Sequence, residues 1–82
     1  MTDSEIAQIL REFIQRDLLN DPGYPLRDDE PLVSAGLIDS FMVAHLAVFV
    51  EQKFGVYIPD VVLLSVEMDT LERVASFVQA NR

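Results

Sequence analysis

The 82-residue sequence contains no cysteine and only one histidine. Without cysteine the chain cannot form a disulfide or a metal site with thiolate ligands. A lone histidine, His45, leaves too few nitrogen ligands for a zinc centre. We therefore expect no metal site, and we expect His45 to be either a solvated helix residue or a contact for a partner.

Basic residues are also scarce. The chain has six Lys and Arg residues and 14 Asp and Glu residues, which give a net charge of −8. Nucleic acids and anionic membrane surfaces bind basic footprints, so neither is an expected partner. Proteins with basic surface patches are the expected partners of this acidic chain, and salt should weaken the electrostatic attraction between the two. The charge is uneven: it is −6 over residues 1–39, zero over 40–58 and −2 over 59–82.

Long hydrophobic runs are absent, and the apolar run from Phe41 to Val50 is too short to span a bilayer. The first five residues are polar and acidic, so we expect no signal peptide, no membrane insertion and a cytoplasmic protein. The chain shows no repeat and no linker, and half of it is hydrophobic. Its length predicts a single domain over 1–82, a monomer, with little room for an enclosed active site. An enzyme is therefore not expected.

The apolar residues of this sequence mostly recur at the three- and four-residue intervals typical of α-helices. Thr2 and Glu5 form a capping-box pattern ahead of a helix that should end near Asn20. A long loop over 20–39 follows, and we expect its apolar residues to pin it to the core. Further helices are predicted over about 40–54 and 60–65, and from the cap at Asp69-Thr70 onward. The apolar stripe of the first helix and the apolar residues of the loop are Ile6, Ile9, Leu10, Phe13, Ile14 and Leu18, then Leu26, Leu32, Val33, Leu37 and Ile38.

The motif Gly36-Leu37-Ile38-Asp39-Ser40-Phe41 closes the loop. Asp39 is the predicted N-cap of the second helix, which leaves the Ser40 hydroxyl free at the first helical position. A helix start presents unpaired N–H groups and the positive end of the macrodipole. An anion attached to Ser40, such as a phosphodiester, would lie in a favourable field.

The second helix has two apolar sides, whereas a surface helix should have one. Either the loop covers the second side or that side meets a partner protein. The expected core stripe is Val43, Leu46, Ala47, Val50 and Phe54, and the opposite side holds Phe41, Ala44, His45, Val48 and Gln52.

Together with the Phe54-Gly55-Val56-Tyr57-Ile58-Pro59 stretch, the motif resembles that of acyl carrier proteins and related discrete carriers, over about residues 6–78. The resemblance implies an all-α four-helix bundle with a long first loop and a short third helix. It implies that Ser40 receives 4′-phosphopantetheine from coenzyme A, through a phosphopantetheinyl transferase, with Asp39 flanking the site. Partners would then include an acyl- or aminoacyl-loading enzyme and a downstream synthase or transferase.

The stretch Phe41–Leu46 departs from fatty-acid carriers, which usually place acidic residues here. Met42 stands where Asp is common, and His45 where Glu is common. The sequence is more similar to discrete carriers of specialised biosynthesis or to D-alanyl carriers of cell-wall decoration. We expect a dedicated partner that docks through apolar contacts at Phe41, Ala44 and Val48, with His45 beside them.

Two other functions fit parts of the pattern. The chain could be an unmodified helical interaction module that binds through the outer side of its second helix, with Asp39-Ser40 as a cap only. A serine hydrolase using Ser40 and His45 is disfavoured, because five residues along a helix turn the two apart and no Gly-x-Ser-x-Gly elbow is present. The acidic loop residues lack the spacing of a calcium loop.

Overall fold

The computed structural model describes all 82 residues, and four α-helices without any strand build the fold. This confirms the all-α, four-helix expectation. No helix has the length and apolar content needed to cross a bilayer. The helices are α1 at Asp3–Phe13, α2 at Ser40–Phe54, α3 at Asp60–Leu63 and α4 at Leu71–Asn81, with a π-helix at Ile14–Leu18 and a 3₁₀ helix at Val66–Met68.

The start and the end of the first helical segment follow from local chemistry. The Thr2 hydroxyl accepts from the Glu5 N–H and the Glu5 carboxylate accepts from the Thr2 N–H, which completes the predicted capping box. These hydrogen bonds hold the pKa of Glu5 below its ordinary value. The segment leaves helical geometry at Asn20, whose φ is 53°. Its final π-helical turn, closed by the Leu19 N–H on the Ile14 carbonyl at 2.8 Å, was not predicted.

All 17 buried residues are apolar, and they form one continuous cluster. The side of α2 that faces this core contributes Val43, Leu46 and Val50. Two further residues of the expected core stripe, Ala47 and Phe54, are half-buried and pack against this core. The core residues are Ile6, Leu10, Ile14, Leu18, Leu26, Leu32, Ile38, Val43, Leu46, Val50, Val56, Ile58, Met68, Leu71, Val74, Ala75 and Val78.

The long loop is pinned by apolar side chains, as expected. Leu26, Leu32 and Ile38 are buried and Leu37 is half-buried. Val33 contradicts the expectation, because it is exposed. It contributes instead to a surface groove described below, since the chain turns outward between the two buried anchors Leu32 and Ile38.

Polar contacts also hold the acidic part of the loop against α1. Arg11 pairs with the Asp28 carboxylate and donates to the Leu26 carbonyl. The Tyr24 hydroxyl donates to Glu30 at 2.5 Å. This bond raises the pKa of Tyr24 and lowers the pKa of Glu30. The acidic loop residues thus serve as hydrogen-bond acceptors within the fold.

The third helix is a single turn and ends two residues earlier than predicted. Leu64 departs from helical geometry and Ser65 is extended. The Ser65 hydroxyl donates to the Val62 carbonyl at 2.8 Å and accepts from the Glu67 N–H. One side chain thereby closes α3 and opens the following 3₁₀ helix.

Candidate functional site

Ser40 is the first residue of α2, and Asp39 caps this helix. Asp39 has extended backbone angles, and its carboxylate accepts from the Met42 N–H at 2.9 Å. The Asp39 carbonyl accepts from the Val43 N–H at 3.0 Å. Asp39 therefore makes the capping interaction, and the Ser40 hydroxyl does not take part in it.

The surroundings of Ser40 suit a covalently attached anion. Ser40 is exposed, and α2 carries no acidic residue in its first turn. The N–H groups at the start of a helix have no acceptor within the helix and carry the positive end of the dipole. A phosphodiester on the Ser40 oxygen would therefore lie at the positive end of the helix dipole. The Asp39 carboxylate occupies one N–H of this turn, that of Met42, and offsets part of the positive field.

A groove of about 230 Å³ adjoins Ser40. We name it the Ser40 groove. It lies between the loop, the start of α2 and the α3–3₁₀ segment. Sequence reasoning missed it, because its walls come from residues far apart in the chain. Its lining residues are Val33, Ser34, Ser40, Val43, Leu63, Leu64, Ser65, Val66 and Asp69.

The side of α2 that faces away from the core is open to solvent, and we name it the outer face. Its members Phe41, Ala44, His45 and Val48 are all exposed, at 70% for Phe41 and 57% for Val48. The loop does not cover them, which removes that explanation for the second apolar side. The Phe41 and His45 rings lie one helical turn apart, with centroids 4.9 Å from each other.

The structure does not bring together a catalytic or metal-binding set. His45 packs on Phe41, along the helix from Ser40. No group of three or more His, Asp or Glu side chains is placed to hold a metal ion. The site therefore consists of one exposed hydroxyl at a helix start, a groove on one side of it and an apolar face on the other.

Three exposed apolar residues near the site were not singled out from the sequence. Val61 and Leu64 are each 83% exposed and Val66 is 64% exposed. A single helical turn presents only part of its surface to a core, so the Val61–Leu64 run cannot be buried throughout. The signal was present in the sequence as an apolar run in an element too short to bury it.

The chain matches a known protein family. The family described as "Phosphopantetheine attachment site" matches residues 4–78 of the 82. No curated protein matches the chain. The match begins at the second residue of α1, ends within α4 and includes Ser40, the Ser40 groove and the outer face.

Proposed function

The chain belongs to the phosphopantetheine attachment family of carrier proteins, and we propose that Ser40 is the residue that bears its 4′-phosphopantetheine arm. When bound, this cofactor supplies a thiol that holds an acyl group as a thioester. The observation that carries the proposal is the exposed Ser40 hydroxyl at the start of α2, free of the cap that Asp39 makes.

Attachment requires a transferase and coenzyme A. A bond forms between the Ser40 oxygen and the phosphorus next to pantetheine, while the pyrophosphate bond of coenzyme A breaks. The leaving group is 3′,5′-adenosine bisphosphate, and a base of the transferase takes the hydroxyl proton. The chain itself contributes the positioned hydroxyl and the N–H groups at the helix start, which Asp39 stabilises.

Carriers of this family work with a phosphopantetheinyl transferase and with enzymes that load and use the cargo. We propose that these enzymes, an acyl- or aminoacyl-loading enzyme and a downstream synthase or transferase, dock on the outer face of α2. Phe41, Ala44 and Val48 are exposed and apolar, and the exposed His45 lies among them. Because an acidic docking helix is lacking, a specialised biosynthetic pathway fits better than bulk fatty-acid synthesis.

We further propose that the chain is a single carrier domain, a cytoplasmic monomer and not an enzyme. In support, one apolar cluster holds all the helices together, and Ser40 has no neighbouring base in His45, which packs on Phe41. The competing candidate is an interaction module that uses the same outer face without modification. The exposure of Phe41 and Val48 fits both functions, so modification of Ser40 decides between them.

Intact mass after incubation with coenzyme A and a broad-specificity phosphopantetheinyl transferase tests the proposal. We expect a phosphopantetheine-sized gain on the native chain and no gain on Ser40→Ala. Ser76→Ala is the control, because Ser76 is an exposed serine of α4 that does not line the Ser40 groove. It should keep the gain on long incubation.

A folded native chain that gains no mass would contradict the proposal and favour the interaction module. A gain that persists in Ser40→Ala would place the attachment elsewhere. Circular dichroism of each variant excludes unfolding as the cause of a lost gain.

A further inference from the structure

Asp69 makes contacts that its position in the sequence does not suggest. It lies between the 3₁₀ helix and Thr70, and the Thr70 hydroxyl caps α4. The Asp69 carboxylate turns away from α4 toward the loop. One oxygen accepts from the N–H groups of Val33 and Ser34, both at 2.9 Å, and the other accepts from the Ser34 hydroxyl at 2.7 Å. We name these three hydrogen bonds the Asp69 contact.

The backbone reinforces the Asp69 contact. The Asp69 carbonyl accepts from the Leu32 N–H at 2.7 Å. Three consecutive loop residues are thus bonded to one residue that lies 35 positions away from Ser34. Partial burial by itself raises the pKa of Asp69, but the hydrogen bonds from Ser34 and Val33 outweigh it and leave the pKa below its ordinary value. The carboxylate is therefore ionised near neutral pH, and its hydrogen bonds are charge-assisted.

The bonded segment leads directly to Ser40. The Gly36 N–H donates to the Val33 carbonyl at 3.0 Å, and the Ile38 N–H donates to the Leu32 carbonyl at 2.9 Å. Gly36 has a φ of 77°, which permits this tight turn. Buried Ile38 then precedes the N-cap residue of α2. The loop from 32 to 38 is consequently held at both ends, with Asp69 at one end and Ser40 just beyond the other.

The Asp69 contact also forms one wall of the Ser40 groove. Val33, Ser34 and Asp69 line the groove together with Ser40. Asp69 is the only ionisable side chain among the lining residues, and its oxygens are engaged by the loop. Without the three carboxylate bonds, the backbone bond from Leu32 to residue 69 and the buried side chains of Leu32 and Ile38 would still hold the ends of this segment. The part between them, around Ser34, would be freer to move, and with it the groove wall beside Ser40.

We propose that Asp69 is a positioning residue for the modification of Ser40. It holds the 33–36 segment as a preformed surface beside the serine, which the transferase contacts as it binds. This inference rests on the attachment at Ser40 proposed above. Asp69 does not touch the reacting atoms, so its loss should weaken recognition of the unmodified protein and leave the chemical step intact.

Steady-state kinetics of the transferase, with the unmodified protein as the varied substrate, test the inference. We expect Asp69→Ala to raise KM roughly tenfold with kcat unchanged, since small misplacements at such sites have effects of this order or larger. Asp69→Asn should give a smaller rise, because its amide oxygen still accepts from the two N–H groups. Glu67→Ala is the matched control: it removes the same charge from an exposed residue of the neighbouring 3₁₀ helix. It should behave as the native chain does.

Amide hydrogen exchange reports the Asp69 contact separately. Exchange at Val33 and Ser34 should accelerate in Asp69→Ala and stay native in Glu67→Ala. Faster exchange with an unchanged KM would overturn the positioning role, and unchanged exchange would overturn the contact itself. If Asp69→Ala does not fold, Asp69→Asn and Ser34→Ala serve instead, and native KM values in both would overturn the inference.

The outcome for the native chain separates this inference from the proposed function. A native chain that is not modified contradicts the attachment at Ser40, whatever Asp69 does. A native chain that is modified with the same KM as Asp69→Ala contradicts only the positioning role.

Discussion

The two sides of Ser40 differ in how completely their side chains are used within the fold. On the loop side, Ser34 and Asp69 are hydrogen-bonded to each other, and Leu32 and Ile38 are buried. On the outer face of α2, Phe41 and Val48 are exposed, and the Phe41 ring packs on His45 of the same helix. Both sides border the same helix start.

This difference separates structural demands from functional ones. The loop side satisfies the polar groups of Ser34 and Asp69 and buries its apolar anchors Leu32 and Ile38, so these residues stabilise the fold even without a partner. Exposed apolar side chains on the outer face add no comparable burial, and water is a poor environment for them. The docking surface proposed above would account for them, since the fold does not require apolar side chains at these exposed positions. Substitutions on the buried side of α2 should therefore lower the free energy of unfolding. Substitutions on its outer face should instead change the KM of a partner enzyme.

The largest expected effect is on the buried side of α2. Leu46 is fully buried, and Leu46→Ala should lower the free energy of unfolding by about 2–5 kcal/mol. Phe41→Ala, on the exposed side of the same helix, should change it by less than about 0.5 kcal/mol. Urea unfolding of both variants measures this. Similar losses in the two would mean that the outer face supports the fold, which would remove the contrast.

The second effect is on docking. Val48→Glu should raise the KM of a loading or consuming enzyme by about tenfold, because it introduces a charge that must be desolvated in an apolar interface. Its unfolding free energy should stay within about 0.5 kcal/mol of the native value.

Gln8→Glu is the control for Val48→Glu, since it adds the same charge at an exposed position of α1. It should leave KM unchanged. A Val48→Glu variant that is loaded and used normally would show that the outer face is not the docking surface.

The third effect concerns the junction between the two sides. Asp39→Ala removes the carboxylate that accepts from the Met42 N–H and should cost about 1 kcal/mol of unfolding free energy. Asp39→Ser retains a capping oxygen and should recover most of this loss. Thermal or urea unfolding compares the three proteins. Equal stability of Asp39→Ala and the native chain would mean that solvent replaces the cap fully.

The smallest expected effect is the pH dependence of the Asp69 contact. Because the folded pKa of Asp69 lies below the ordinary aspartate value of 3.8, its stabilisation is fully present above that value. It is lost as the pH falls through the lowered folded pKa. The stability difference between the native chain and Asp69→Asn should thus be constant near neutrality and shrink at acidic pH. A difference that grows on acidification would contradict a lowered pKa.

Most of the fold was predictable because its signals are local. The capping box at Thr2 and Glu5, the cap at Asp39 and the left-handed Gly55 each act within a few residues, and the structure contains all three. The helices followed from such signals, whereas the family was inferred from the resemblance of the Gly36–Phe41 motif and the Phe54–Pro59 stretch to those of carrier proteins. Two boundaries were predicted wrongly: α3 ends earlier, where the Ser65 side chain closes it, and the first segment ends in a π-helical turn.

The site was predictable on one side only. Phe41, Ala44, His45 and Val48 share a helix face, so spacing places them together. The Ser40 groove was not predictable, because its walls meet only when the loop, α2 and the 3₁₀ segment are packed. The partnership of Asp69 with Ser34 had no sequence signal, and the residue was interpreted as part of a helix cap.

The sequence by itself determined which helices form, that a hydroxyl stands at the start of α2 and that the outer face of this helix is apolar. The reason is that capping and periodicity depend on neighbours three or four residues away. Only the tertiary structure decided that the loop leaves the outer face open and that Asp69 holds the segment leading to Ser40. The hydrogen bonds between Ser34 and Asp69 join residues 35 positions apart, so they form only once tertiary packing brings the two segments together. The spacing of residues along the sequence does not predict such a contact.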